Sequence, residues 1–197
     1  MIVLASASPR RHELLSQAGV PFERMSVDLD ESVLPGEAPI AYVRRLAEAK
    51  ARAVADTVNS LDYCVIGADT TVVCEGQILG KPADAGEANA MLELLSGRWH
   101  EVTTGYCLLR AHDCFVEHTT TRVEMRPISP RERSAYVECG EWQGKAGGYA
   151  IQGIASALVR QISGSYSNVV GLPVCEVIEA LQRANSLPPD WRLGGSK

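Results

Sequence analysis

Short apolar runs alternate along this chain with segments of helical spacing, and that alternation limits the fold more than any other feature. Ile2-Val3-Leu4-Ala5 is apolar throughout and reads as a buried strand. Ser8-Pro9 opens a helix that should end near Gly19. From Pro39 to about Ala55, Val43, Leu46, Ala47 and Val54 recur at helical spacing. Tyr63 to Ile66 and Thr71 to Cys74 read as two strands, with a turn at Glu75-Gly76. Asp84 to Leu95 is a helix on the stripe Ala88, Met91, Leu92 and Leu95, stopped by Gly97. Strands at residues 100–110 and 114–124 are joined through Ala111-His112-Asp113 as in a hairpin. Ser129-Pro130 opens another helix, ending at Gly140, and a glycine-rich loop runs from Gly144 to Gly153. Ala157 to Ile162 is a strand turned by Ser163-Gly164, and Pro173 to Ala184 is the last helix. Hairpins mixed with strand–helix units predict an α/β fold. No GxGxxG or Walker-type loop occurs, so neither a Rossmann nor a P-loop reading has support.

A length of 197 residues suits one compact domain, or two lobes sharing a cleft. With 46% hydrophobic and 22% charged residues, the chain reads as a soluble globular protein with its own core. A net charge of −5 does not suit a nucleic-acid binder, so an anionic ligand needs local positive charge to hold it. The six cysteines form neither a CxxC pair nor a zinc-spaced cluster. Most sit among apolar neighbours and read as buried, reduced thiols of a cytoplasmic protein. The run Ile2 to Ala5 is too short for a signal peptide, and no stretch of roughly 18 apolar residues is present, so no membrane partner is expected.

Two helices begin with Ser-Pro, but their next residues differ. At Ser129-Pro130-Arg131-Glu132 the serine caps, the proline takes the first helical position and Glu132 completes a capping box, a start that needs no ligand. At Ser8-Pro9-Arg10-Arg11 two arginines come instead. Their charges add to the positive end of the helix dipole, at a cost of roughly a few tenths of a kcal/mol each unless an anion sits there. Ser6 and Ser8 add hydroxyls, and free backbone N–H groups point the same way, which together make a triphosphate cradle. The alternative is that both arginines extend into solvent or pair with acids elsewhere. Judged from the helix alone, Arg11→Ala should leave stability unchanged or slightly improved.

Lys50 lies on an apolar helical stripe, four residues from both Leu46 and Val54, where an amine either snorkels out or meets an anion. Val65-Ile66-Gly67-Ala68-Asp69-Thr70 brings a carboxylate to the end of an apolar run, after two small residues that leave room for a ligand. Asp69 there caps a turn or does chemistry. Gly80-Lys81-Pro82 supplies another cation, and Asp30-Glu31 further carboxylates. Acids that hold Mg2+ or activate water, with cations that bind phosphate oxygens, are what metal-assisted phosphoryl chemistry needs. The loop Lys145 to Gly153 offers close backbone approach, with Gln152 as donor and acceptor; its plain alternative is an ordinary surface loop.

Together these segments resemble the Maf family of nucleoside triphosphate pyrophosphatases over roughly residues 2–185. The likeness rests on Leu4-Ala5-Ser6-Ala7-Ser8-Pro9-Arg10-Arg11, Leu46-Ala47 with Lys50-Ala51, Gly67-Ala68-Asp69-Thr70 and Gly80-Lys81-Pro82. It continues through Leu95-Ser96-Gly97 with His100 and Val102, Lys145-Ala146-Gly147, Gln152-Gly153 and Val170-Gly171-Leu172-Pro173. The resemblance implies an α/β fold with a mixed sheet and two lobes around a central cleft, similar to inosine triphosphate pyrophosphatases. Residues 1–187 would form a single domain and 188–197 a flexible tail. It implies cleavage between the α and β phosphates, a divalent cation such as Mg2+ or Mn2+, and a house-cleaning role in the cytoplasm. By the same resemblance Asp69 is the proton acceptor, Lys50 and Lys81 are catalytic cations, and Glu31 and Asp69 hold the metal. Ser8 and Arg11 then line the cleft, while Arg10, Thr70 and Gln152 match the specificity positions and have the form of the dTTP/UTP branch. A sister branch associated with 7-methyl-GTP carries tryptophan, glutamine and glutamate at those three positions. Two other readings stay open: a 7-methyl-GTP pyrophosphatase, and a non-catalytic nucleotide-binding regulator of cell division. A nucleoside triphosphate is the expected partner, not nucleic acid, and a homodimer is left open.

Overall fold

Strand β1 (Ile2–Ala5) forms because both of its faces are covered. Ile2 and Leu4 pack with Leu15, Leu172 and Leu181, while Val3 and Ala5 pack with Ala47, Ala51 and Val54. The computed structural model describes residues 1–58, 62–111 and 113–193. Helix α1 (Pro9–Gln17) follows β1, and the short strand β2 (Glu23–Met25), which the sequence does not announce, pairs parallel with β1. Helix α2 (Pro39–Val58) runs past the expected end at Ala55, and β3 (Cys64–Cys74) pairs parallel with β1, Leu4 opposite Ile66. Parallel neighbours need crossover connections, and α1 and α2 supply them.

The sequence predicts two strands between Tyr63 and Cys74, but β3 is one continuous strand. Gly67 and Ala68 do not interrupt it; they make room. A Cβ on Gly67 would strike the Ala47 carbonyl oxygen and lie 2.9 Å from the Ala51 nitrogen, so α2 approaches the strand backbone to backbone. Gly105 does the same under Val43 and Arg44. Asp69 is therefore buried in mid-strand, not placed at a strand end, and the turn-cap alternative falls away.

The remaining elements are β4 (Gln77–Leu79), α3 (Ala85–Leu95), β5 (Trp99–Arg110), β6 (Asp113–Met125), α4 (Pro130–Glu138), β7 (Val159–Ser163), α5 (Tyr166–Val170) and α6 (Val174–Arg183). The mixed sheet has strand order β2-β1-β3-β5-β6-β7, with β4 on β3. Glu75 and Gly76 both take positive φ, 51° and 78°, as a two-residue hairpin turn between β3 and β4 requires. Asp84 caps α3 by accepting from the Glu87 nitrogen, and all four stripe residues of that helix are buried. The predicted turn between β5 and β6 includes His112, which lies outside the described residues, as do residues 194–197 of the expected tail. β7 begins at Val159, later than predicted, because Ile154–Ala157 form a 3-10 turn; α5 has no counterpart in the sequence reading.

Contacts divide the chain into two compact units. One comprises Met1–Asp69, Thr104–Thr119 and the residues from Gly171 onward; the other comprises Thr70–Thr103 and Thr120–Val170. All six cysteines are free, but only Cys64, Cys74 and Cys107 are buried; Cys114, Cys139 and Cys175 are exposed, against expectation. Cys139 sits at the C-cap of α4 and Cys175 in the first turn of α6, where apolar neighbours in sequence do not guarantee burial. Among the described residues no helix is long and apolar enough to cross a membrane.

Candidate active site

Ser8 stands at the N-cap of α1, yet its side chain makes no capping bond and the first turn carries no acid. At α4 the capping box between Ser129 and Glu132 is complete. The contrast read from the two Ser-Pro starts therefore holds in the geometry. Arg10 is half-buried with its Nε unpaired among the described residues, and burial pulls its guanidinium below the ordinary arginine value. The start of α1 thus keeps the Ser8 hydroxyl off the helix and an uncommitted guanidinium donor on Arg10.

Arg11 is different. It is buried, its Nε donates to the Gly171 carbonyl at 2.7 Å and its Nη1 to Ser6 Oγ at 3.3 Å. Ser6 Oγ also accepts from the Ser8 nitrogen at 3.1 Å. Burial lowers the Arg11 pKa; Asp69 opposes that, Arg10 adds to it, and Glu31 opposes it. Arg11 ties α1 to the chain entering α6, so the expectation that its loss is neutral is reversed. Arg11→Ala should destabilise the apo protein by about 1–3 kcal/mol, the scale of charge-assisted hydrogen bonds. An unchanged melting temperature without nucleotide would show that these bonds contribute nothing.

Lys50 does not snorkel. Its Nζ lies 2.6 Å from Glu31 Oε1 and 2.6 Å from Asp69 Oδ1, with the lysine side chain 13% exposed. The Tyr42 hydroxyl, also on α2, donates to the Glu31 carbonyl at 2.9 Å, so one helix fixes both the ammonium and the segment bearing the acid. The Tyr42 phenol is pushed up to about 12 by burial and then by the charges of Asp69 and Glu31. The neighbouring Asp30 turns instead to the Ser32 nitrogen at 2.9 Å. Two carboxylates close enough to share one cation are the donor set Mg2+ takes when phosphate oxygens and waters complete its shell. Among the described residues no group of three His, Cys, Asp or Glu could hold a metal ion.

In the other unit, Thr70 follows Asp69 on β3 and is half-buried. Lys81 is exposed in the loop after β4. Its neighbour Gly80 accepts from the Gly147 nitrogen at 3.0 Å, which stitches that loop to the glycine-rich segment. Gly147 has φ 68°, and a Cβ there would lie 2.9 Å from Val72. Gln152 is exposed, and no hydrogen bond engages its amide among the described residues. Ser8, Arg10, Arg11, Glu31, Lys50 and Asp69 thus belong to one unit, and Thr70, Lys81 and Gln152 to the other.

The glycine-rich segment also rests on His100, buried on β5, whose Nε2 pairs with the Tyr149 hydroxyl at 2.8 Å while its Nδ1 has no partner among the described residues. Burial pushes the His100 pKa down to about 4. A histidine that titrates lower in the fold than in the unfolded chain, about 6.5, resists protonation when folded. Its contribution to stability is whole above pH ~6.5 and is lost as pH falls towards the folded value. Wild-type protein should therefore lose more melting temperature between neutral pH and pH ~4.5 than His100→Gln does. Equal losses would place the acid sensitivity in other groups.

Residues 1–184 match the family described as Maf-like protein. The chain belongs to the Maf family. Curated Maf relatives include the dTTP/UTP pyrophosphatase of Hahella chejuensis (strain KCTC 2396), 50% identical over 182 residues, 92% of this chain and 90% of the relative. The dTTP/UTP pyrophosphatase of Geobacter sp. (strain M21) is 49% identical over 188 residues, covering 94% of this chain and 96% of its own. A solved structure of the Ham1 protein of Staphylococcus aureus is similar at 15% identity and TM-score 0.44, over 63% of this chain and 71% of that one.

In this Maf chain the sequence motifs leave out two supporting residues, Tyr42 and Tyr149. Tyr42 has a signal: it lies four residues before Leu46 on the buried face of α2, and a buried tyrosine needs a partner for its hydroxyl. Tyr149 has none, because its partner His100 is 49 residues away.

Proposed function

We propose that this protein hydrolyses dTTP and UTP to the nucleoside monophosphate and pyrophosphate. What carries the reading is the Glu31–Lys50–Asp69 cluster in a chain about half identical to relatives named for that activity. Water attacks the α phosphorus, the bond from that phosphorus to the bridging oxygen breaks, and pyrophosphate leaves with that oxygen. Asp69 takes the proton from the water, and Lys50 keeps the carboxylate aimed. Arg10, Ser8 and the positive end of the α1 dipole hold phosphate oxygens, and Arg11 steadies that helix start. Lys81 adds a second cation for the charge that develops on the phosphates. Glu31 and Asp69 would hold the divalent cation, Mg2+ or Mn2+, which when bound neutralises phosphate charge and polarises the phosphoryl centre.

Thr70 and Gln152 read the base. The Gln152 amide both donates and accepts, which suits the O4/N3 edge of uracil or thymine. A site built on hydrogen bonds rejects a mismatched base strongly, because its polar groups are then left unpaired. Pyrophosphate release from dTTP, UTP, CTP, ATP and 7-methyl-GTP, at matched low substrate with Mg2+ or Mn2+, gives relative kcat/KM. The expected order has dTTP and UTP far ahead. If 7-methyl-GTP is fastest, the reaction stands but the base assignment is wrong; tight binding without pyrophosphate release would leave a nucleotide-binding regulator.

A further inference from the structure

A carboxylate that the proposed reaction leaves unused holds the glycine-rich segment from behind. Glu141 Oε2 accepts from the Tyr136 hydroxyl at 2.7 Å and from the Ala155 nitrogen at 3.2 Å, and its Oε1 accepts from the Ile154 nitrogen at 2.7 Å. The buried Tyr136 hydroxyl in turn accepts from the Ala150 nitrogen at 3.3 Å. Both ends of residues 150–155 are therefore bound to one Glu–Tyr pair, and Gln152 stands exposed between them. A Cβ on Gly153 would fall on the Glu141 carboxylate, so the glycine next to Gln152 is what admits the clamp. Burial pushes the Glu141 pKa up, but the bonds from Tyr136, Ile154 and Ala155 outweigh it and leave the carboxyl below its ordinary value.

We propose that Glu141 is a positioning residue for base selection, acting through Gln152 without touching the nucleotide. The inference rests on Gln152 as the base reader. Both arms of the Glu141 side chain must accept, because every group facing them donates. Glutamine keeps the shape but turns an NH2 towards a donor on one arm, so one end of the segment is released. The loosened segment then holds the Gln152 amide off the base edge.

The test compares Glu141→Gln, Gln152→Ala and the double variant in the full-length protein. Calorimetric binding of UMP and CMP reads base choice without turnover, and kcat and KM for UTP are measured beside it. Amide exchange at Ile154 and Ala155, without nucleotide, reads the clamp itself. In Glu141→Gln those amides should exchange about tenfold faster, the scale of one lost hydrogen bond. The preference for UMP over CMP should fall about tenfold and the KM for UTP rise by a similar factor, with kcat within about twofold. In the double variant the loss of preference should not exceed that of Gln152→Ala alone. Additive losses of preference, or faster exchange with preference intact, overturn the proposal. So does a wild type that binds UMP and CMP equally. A wild type that prefers UMP yet releases no pyrophosphate from UTP sinks the proposed reaction and leaves this inference standing on the binding data. Should Glu141→Gln not fold, Tyr136→Phe removes one donor to Glu141 and the acceptor of Ala150, and must shift preference in the same direction.

Discussion

Asp69→Asn lowers turnover by about 10²–10⁴, the usual span for loss of a general base. Asparagine keeps the size and the oxygen facing Lys50 but neither the charge nor the basicity. Lys50 retains Glu31 at 2.6 Å, so the ammonium is not left unpaired and the fold is expected to survive. The measurement is pyrophosphate release from dTTP by purified protein whose melting temperature is checked alongside. Near-native turnover in a folded variant would remove Asp69 from the role of proton acceptor. Because the side chain is buried in mid-strand, its orientation comes from β3 and Lys50, not from a mobile loop, and the loss should appear in kcat.

Gly67→Ala should carry the largest stability effect. Its methyl group meets the Ala47 carbonyl oxygen, the Ala51 nitrogen at 2.9 Å and the Ala51 Cβ at 3.0 Å, and two of these three atoms are backbone. Backbone in a helix cannot turn aside as a side chain does, so α2 or β3 has to move. The expected cost is about 3 kcal/mol, the upper end of ordinary overpacking. For a chain of this size that lowers the melting temperature by roughly 6–12 °C. Gly80→Ala is the control, since a Cβ there meets nothing within 4 Å. If Gly67→Ala melts with the wild type, the helix has slack at this contact and Lys50 is held by other means.

Gly67 also marks where the sequence can and cannot be read. The apolar run of β1, the stripe of α3 and the capping box of α4 are local patterns, and each is found in place. Gly67, Ala68 and Asp69 look like a break in a strand because neither their size nor their polarity suits one. Their reason lies in α2, whose Ala47 and Ala51 stand 20 and 16 residues before Gly67 and meet it only in the folded chain. β2 is illegible because Glu23-Arg24-Met25 has no alternation and is held by backbone pairing to β1. Lys50 is conspicuous as a charge on an apolar stripe, but nothing local chooses Glu31 over Asp30 as its partner. The structure separates the two acids, one on Lys50 and one on Ser32. The stabilising role of Arg11 is hidden from its local sequence because its bond to Gly171 spans 160 residues.

The two compact units bear on how such a protein can diverge. Glu31, Lys50 and Asp69 share one unit, while Thr70, Gln152 and the Glu141–Tyr136 pair behind the glycine-rich segment share the other. If the second set selects the base as proposed, drift there alters base choice without touching the hydrogen bonds that aim Asp69. A lineage moving from one nucleotide to another therefore need not pass through inactive ancestors. New substrate ranges should then arise from few substitutions, at Arg10, Thr70, Gln152 and the residues that hold the Gln152 segment, on an unaltered phosphate chemistry.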